Sequence, residues 1–542
     1  MSPTSNSAQP YDTIVIGSGF GGVMAAYPLV MAGERVLMLE RGDWVERGPH
    51  NWEIGSAHEL SDHYCPDAPY CVDDARVARS GGSFHCVGGP SVFYGGVALR
   101  LREEDFAPGA AIVGDSGAEW PFGYAELAPY YDWAESLLGV AGDDTRDPTA
   151  PPRDAPYPQR PAPFTRPAQR MAAAARRLGL NPFPLPLAIN YTATDERAAC
   201  ALCCTCDGFA CAISAKNDLA TGIIPQLQAA GMELRPGTAA VQLTVSGTRI
   251  DGVTVVDRVS GRRETLRAAR VILAAGTLAT PHLLLASGLE KHSTAPDAVG
   301  RYLTRHNNLL TLGVFPRRPN PDLEFHKQVA IHDFYFGAPG VDPNIGKLGC
   351  IQQITAPGPE FVRRILPPPI GFIASVGVPH VLGLLSIAED EPRDTNRLYV
   401  DPSTPDSLGL PTLHITHRYT KRDVAAGRAL VAQSRRILRE AGALFSIVHD
   451  LRSFSHAVGT VRMGPNEQSA PIDERGRFRG LDNLYVTDGS VFPTSGGVNP
   501  SLTIAANALR VGTLLTGRAA PRDRAHAGSR RLTTIERAAH AP

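Results

Sequence analysis

The sequence predicts two fold classes in one chain, α/β and α+β: a Rossmann-type dinucleotide-binding unit and a second unit built on a mostly antiparallel sheet. Three observations carry this. Residues 13–40 read as strand, glycine turn, helix and strand. From Gly231 to Ala274 the pattern turns to short alternating strands. Residues 311–449 hold several apolar, strand-like runs followed by the strongly helical segment Lys421–Ala441. The elements resume as loop, strand and helix over 450–517, so the first unit is expected to be discontinuous: residues 1–310 with 450–517, the second unit being 311–449. The Arg- and Ala-rich stretch 518–542 is expected to be a mobile tail.

In the first element Thr13–Ile16 is β-branched and apolar, and Gly17–Gly22 forms the turn. Gly17 permits the tight turn, Gly19 lets backbone approach a pyrophosphate, and Gly22 allows close helix–strand packing. Phe20–Ala32 is helical in composition despite Pro28, and its N-terminus offers free N–H groups to phosphates. Arg35–Glu40 is the second strand, with Glu40 placed to accept hydrogen bonds from ribose hydroxyls. This motif fits NAD and FAD equally well.

Composition narrows the setting. A formal net charge of -1 over 542 residues gives no field that would draw the chain to nucleic acid or an anionic membrane. Only five of the 53 basic residues are Lys, which fits a GC-rich coding bias. The polar N-terminus lacks a secretory pattern, so a cytoplasmic location is expected. Ile370–Ala388 is uncharged and apolar enough to consider as a membrane span. Its glycines, Pro379 and His380 fit paired core strands with a turn better.

Further motifs follow. Gly81–Gly96 (GGSFHCVGGPSVFYGG) implies backbone packed against something flat or charged, or else a flexible loop. Gly276–Gly288 (GTLATPHLLLASG) follows the apolar strand Val271–Ala275, as a cofactor-side turn would. Near the C-terminus stand Ser455–Gly464, Leu484–Pro493 and Gly497–Ile504, with His456 before a Gly-Thr turn and Asn499-Pro500 opening a helix. Cys200, Cys203, Cys204, Cys206 and Cys211 lie within twelve residues. Soft thiolates at such spacings can bind an iron–sulfur cluster or zinc, with Cys200, Cys203, Cys206 and Cys211 as the ligand set. Metal-free thiols are the reading carried forward.

Together these motifs resemble the glucose–methanol–choline (GMC) oxidoreductases from Tyr11 to about Gly517. Gly276–Gly288 fits that family's internal pattern without a gap. The resemblance implies a Rossmann-type FAD-binding domain plus a substrate domain, with oxidation of an alcohol CH–OH by hydride transfer to flavin N5. It implies an FAD site built from Gly17, Gly19, Gly22, Glu40, Gly88, Gly89, Ser91, Tyr94, Val241, Asp488, Asn499 and Pro500. His456 would be the base, or the partner of the developing alkoxide, and Asn499 would orient the hydroxyl. Some members attach flavin through a His two residues after the Ser of the Gly-Gly-x-Ser stretch. Here that position is Phe93, so non-covalent FAD is expected.

Two electron routes stay open: O2, or a partner reached through an iron–sulfur cluster, as some bacterial family dehydrogenases employ. Size and GC-rich character resemble the alcohol oxidases of aminoglycoside antibiotic biosynthesis, which act on a primary hydroxyl of an aminosugar. The sterol oxidases share the Gly-Gly-Pro-Ser stretch and form an alternative. Aromatics (Phe334, Tyr335, Phe336, Phe361, Phe372) and acids (Glu389, Asp390, Glu391, Asp394) in 311–449 would suit a polyhydroxylated, cationic substrate if they line the pocket. Otherwise the acids form a solvated loop.

Overall fold

The computed structural model describes residues 11–52, 70–72, 85–143, 145–194, 197–354, 358–359, 362–363, 366–451 and 453–518. The expected tail, apart from Arg518, and the start of the Gly81–Gly96 stretch lie outside the described residues, as does Phe361.

Five parallel strands form the first sheet, in the order Leu484–Val486, Ala268–Leu273, Tyr11–Ile16, Val36–Leu39, Glu233–Arg235. Its central strands are apolar: helix Phe20–Val30 packs on them, and strands Thr238–Ser246 and Arg249–Asp257 also contact the sheet. All of Val36–Leu39 is buried. Each such fully buried aliphatic side chain contributes about 1.5–3 kcal/mol. Helix Phe20–Val30 follows the first strand, and helix Ser501–Leu515 packs on it. Gly512 permits that approach, since a Cβ there would lie 2.3 Å from Ala25 O and 2.6 Å from Pro28 Cγ. Within residues 231–274, Thr238–Ser246, Arg249–Asp257 and Arg263–Leu266 form an antiparallel meander.

The second sheet has six antiparallel strands, in the order Phe445–Asp450, Asn307–Val314, Val381–Ala388, Gly349–Ile354, Val329–Ile331, Phe183–Pro184. Helix Lys421–Glu440 backs it, opened by a Thr420–Asp423 capping box. Two pieces come from outside 311–449: strand Phe183–Pro184, and helix Arg166–Arg177, which packs on the backing helix. The first strand also begins at Asn307, ahead of residue 311. The two units are therefore interwoven rather than divided at those positions.

One expectation needs correcting. Ile370–Ala388 is not a pair of strands: Ile370–Gly377 is a helix, and only Val381–Ala388 is a strand. The helix leaves Phe372, Ile373 and Val376 exposed, so it never needed the alternation of a core strand. Among the described residues no helix is long and apolar enough to cross a membrane.

Candidate active site

The motifs from both ends of the chain converge on one cavity of about 1190 Å³. At one end stands the glycine turn. Gly17 has φ +106°, and a Cβ on it would meet Ala274 O at 2.3 Å. A Cβ on Gly22 would lie 1.9 Å from Gly17 O, so the helix can sit this close to the turn only without a side chain. The N-cap of helix Phe20–Val30 is Gly19, with no side-chain cap and no acid in the first turn. Its N–H groups thus face the cavity without a competing carboxylate.

Glu40 closes the second strand and is buried. Its Oε2 accepts from Ser18 N at 3.1 Å and Ser18 Oγ at 2.6 Å, and its Oε1 accepts from Gly42 N at 2.8 Å. Gly88 N donates to Ser18 Oγ at 3.0 Å, which ties the second glycine stretch to the first. Ser91 Oγ donates to Gly88 O at 2.7 Å and accepts from Leu219 N at 3.1 Å. Gly17, Gly19, Glu40, Gly89, Tyr94, Asp488, Asn499 and Pro500 line the cavity, whereas Gly22, Gly88 and Ser91 shape it from behind.

Val241 is displaced from its expected place. The lining at that end is Thr238–Ala240. A register shift between Ala240 and Gln242 accompanies the turn of Val241 into a small cluster with Ala239, Val256 and Leu410.

Asp488 joins three motifs. Its Oδ2 accepts from Gly276 N at 2.8 Å and Thr280 Oγ1 at 2.5 Å, and its Oδ1 accepts from Ser490 N at 2.9 Å. Thr277 Oγ1 then donates to Ala457 O at 2.7 Å, fixing the backbone beside His456. The Gly276–Gly288 motif therefore positions the C-terminal block as well as flanking the cavity.

At the far end lies a hydrogen-bonded chain with one direction. Gln352 Nε2 donates to Asn499 Oδ1 at 2.7 Å, so the Asn499 amide nitrogen faces His456 Nε2, 3.2 Å away. His456 Nδ1 stands 3.1 Å from His306 Nδ1. His306 Nε2 faces only carbonyl oxygens, Gly496 O at 2.9 Å and Ser495 O at 3.3 Å, so it must carry a proton. A neutral His306 then has its lone pair on Nδ1, His456 donates from Nδ1, and the lone pair of His456 lies on Nε2 at the cavity wall. Burial pushes the His456 pKa well below the usual histidine value, and the charge of Lys327 pushes the same way.

His306 holds a strained backbone, φ +59°. Asp390 clamps it: its two oxygens accept from His306 N and Arg305 N, each at 3.0 Å. Tyr419 Oη donates to His306 O at 2.6 Å. His306 and Gln352 were not identified as site residues from the sequence, and Asp390 was read only as a pocket-lining or surface acid. The available signal was Gln352-Gln353, a polar pair within an apolar strand, both residues buried.

The pocket expectations for 311–449 change. Phe334 and Tyr335 are core residues, Phe336 and Phe372 are exposed, and none of these four lines the cavity. Glu389 and Asp390 are buried, neither pocket-lining nor solvated. Glu389 pairs with Lys347 at 2.6 Å, and Asp390 accepts from His417 Nε2 at 3.2 Å. Their charges are consumed inside the fold.

The cysteine segment does not fit a metal. Among the described residues no three His, Cys, Asp or Glu side chains gather as a metal-holding group. Without a metal, burial pushes the Cys200 thiol up to about 11 and raises those of Cys204 and Cys206. The iron–sulfur alternative through Cys200, Cys203, Cys206 and Cys211 therefore finds no support in the geometry.

Family models described as GMC oxidoreductase match residues 70–308 and 392–508. The chain belongs to the GMC oxidoreductase family. It is similar to paromamine 6'-oxidase of Streptomyces fradiae, 30% identical over 96% of this chain and 94% of that protein. It is equally similar to 6'''-hydroxyparomomycin C oxidase of Streptomyces lividus, 30% identical over 95% of this chain and 93% of that protein. Its fold matches pyridoxine 4-oxidase from Mesorbium loti with a TM-score of 0.66 at 20% identity, covering 94% of this chain and 100% of that one. This GMC oxidoreductase is a flavoenzyme, and FAD is its cofactor. The uncapped helix N-terminus and the glycine-rich turn at Gly17–Gly22 fit a pyrophosphate, and a cavity of about 1190 Å³ whose lining includes both Thr238–Ala240 and Asn499 has room for a dinucleotide.

Proposed function

We propose that this GMC oxidoreductase oxidises a primary hydroxyl of an aminosugar to the aldehyde, with O2 as the final electron acceptor. The observation that carries the chemistry is the one-way chain Gln352, Asn499, His456, His306, Gly496, which leaves the His456 Nε2 lone pair on the cavity wall. An alcohol oxygen that displaces the Asn499 amide from His456 would give its proton to Nε2 and accept the Asn499 N–H as charge develops. Asn499 cannot titrate near neutral pH, so His456 is the single proton acceptor of the pair. The proton that arrives on Nε2 leaves Nδ1–H bonded to His306, whose fixed acceptor supports the resulting cation. When bound, FAD supplies the hydride acceptor opposite the carbinol carbon.

The residues that would hold FAD are Gly17, Gly19 and Glu40 on the nucleotide side, with Gly89, Tyr94, Asp488, Asn499 and Pro500 toward the reacting end. Phe93, buried at the cavity wall, carries no nucleophile, which supports non-covalent attachment. The aminosugar reading rests on the two relatives that act on paromamine-type compounds, at 30% identity over most of the chain.

The test is an anaerobic screen of the holoenzyme against paromamine, simple primary alcohols and sterols, followed by oxygen uptake. Bleaching of the flavin by paromamine, with hydrogen peroxide formed under air, is expected. Bleaching by sterols alone would overturn the substrate, and no peroxide under air would overturn the acceptor.

A further inference from the structure

The cysteine-rich segment carries Asp207 into the same cavity that His456 lines. Lys327 Nζ donates to Asp207 Oδ1 at 2.6 Å across 120 residues of sequence. Lys327 is 6% exposed. The Asp207 side chain is 27% exposed, but its Oδ2 is buried, and a buried carboxylate oxygen costs free energy unless another group completes its hydrogen bonds. None does: Asp207 Oδ2 has no partner, and neither has Nε2 of His326, the buried neighbour of Lys327 on the cavity wall.

The pair is built in, not draped. It rests on the backbone of Gly95, where a Cβ would stand 2.1 Å from Asp207 Oδ1 and 2.3 Å from Lys327 Nζ. Among the described residues, the other charged side chains on the cavity wall are Glu40 and Arg41 beside the glycine turn and Asp488, whose oxygens already accept from Gly276 N, Thr280 Oγ1 and Ser490 N. The charge of Lys327 is felt by His456, so the pair stands toward the reacting end.

We infer that Asp207 and Lys327 form a subsite for a second hydroxyl of the substrate, separate from the one being oxidised. This rests on the alcohol-oxidation reading above. A hydroxyl donates one hydrogen bond and accepts others, which matches an unpartnered carboxylate oxygen beside an ammonium. An amino group in its charged form only donates, and it would meet the charge of Lys327. The subsite therefore selects polyols, and on an aminosugar it reads a ring hydroxyl rather than the amine. The cysteine segment gains a role without metal, as the loop that presents Asp207.

The experiment compares ethanol, ethane-1,2-diol and 2-aminoethanol, and the matching three-carbon set, propan-1-ol, propane-1,3-diol and 3-aminopropan-1-ol. Anaerobic flavin reduction gives a rate constant and a dissociation constant for each, and for paromamine. Wild type should favour a diol over its mono-alcohol and its amino alcohol by about tenfold or more in the ratio of the two constants. Asp207→Asn should abolish that preference, lowering the ratio for diols and paromamine by more than that for mono-alcohols. The double variant Asp207→Asn/Lys327→Gln, which leaves no unpaired charge, should behave alike. Equal loss toward every alcohol, a preference for amino alcohols, or unaltered paromamine affinity in both variants would overturn the subsite. Failure of all seven compounds to bleach wild type would instead sink the aminosugar reading of the substrate and the subsite with it.

Discussion

His306 and His456 meet Nδ1 to Nδ1 at 3.1 Å, and a single proton lies between them. Because His306 Nε2 faces carbonyl oxygens, that proton belongs to His456, and the reactive lone pair is fixed on His456 Nε2. His306→Phe removes the acceptor and frees the ring of His456 to adopt either tautomer. Flavin reduction by alcohol should fall about 10²-fold with FAD retained. His306→Asn should recover much of the rate, since Asn tolerates positive φ and its amide oxygen can accept from His456 Nδ1. Equal losses in both variants, measured by anaerobic stopped flow, would reduce His306 to a packing residue.

The pH dependence of that same step follows from the depressed pKa of His456. The neutral ring is the active form, so the rate should be flat from neutral pH down past the usual histidine value. It should fall only in acid, with a limiting pKa below 6.5. Lys327→Met removes one of the causes and should move the limb upward. A wild-type limb at or above 6.5 would contradict the burial argument.

Stability should weaken as pH drops from 7.5 to 5. His85 is held down to about 3 by burial, and His282, His326, His332, His417 and His456 are all lowered with burial as the leading cause. Below pH ~6.5 the unfolded chain binds protons that the folded chain refuses, so acid favours unfolding, by at most roughly 1.4 kcal/mol per histidine for each pH unit below ~6.5 until the folded pKa is reached. Asp423, raised to about 6, acts the other way and offsets part of the loss. Thermal melts at the two pH values give the sign, with the lower melting temperature expected at pH 5.

Gly22→Ala places a methyl group 1.9 Å from Gly17 O, where only backbone could give way. The cost is expected to be about 3 kcal/mol or more, together with loss of bound FAD. Flavin content of the purified variant and its melting temperature measure both parts. A variant with full flavin content would mean that the turn relaxes more than packed backbone should.

Much of the site was legible because its residues work locally. Gly17, Gly19 and Gly22 serve a turn six residues long, and His456 and Asn499 stand in short recognisable blocks. His306 was not legible, since its role depends on a partner 150 residues away and on a backbone angle that no pattern announces. Glu389 and Asp390 misled for a related reason. Acids in a row resemble a solvated or ligand-facing surface, and only the fold shows Lys347, His417 and backbone N–H groups waiting for them. The six-stranded sheet was read as a class, but its outer strand Phe183–Pro184 is two residues long and lies far from the other strands in sequence. The helix Ile370–Gly377 misled because exposed apolar residues on a surface helix look like core strand when only hydropathy is read.

The most direct test of the account is the anaerobic reduction of bound flavin by a reducing alcohol in wild type and in His456→Ala. The variant should retain the flavin spectrum and bind alcohol, with its rate constant for reduction lowered by at least about 10²-fold. A rate constant near that of wild type would contradict the assignment of His456 as the proton acceptor, and with it the reading of the whole hydrogen-bonded chain.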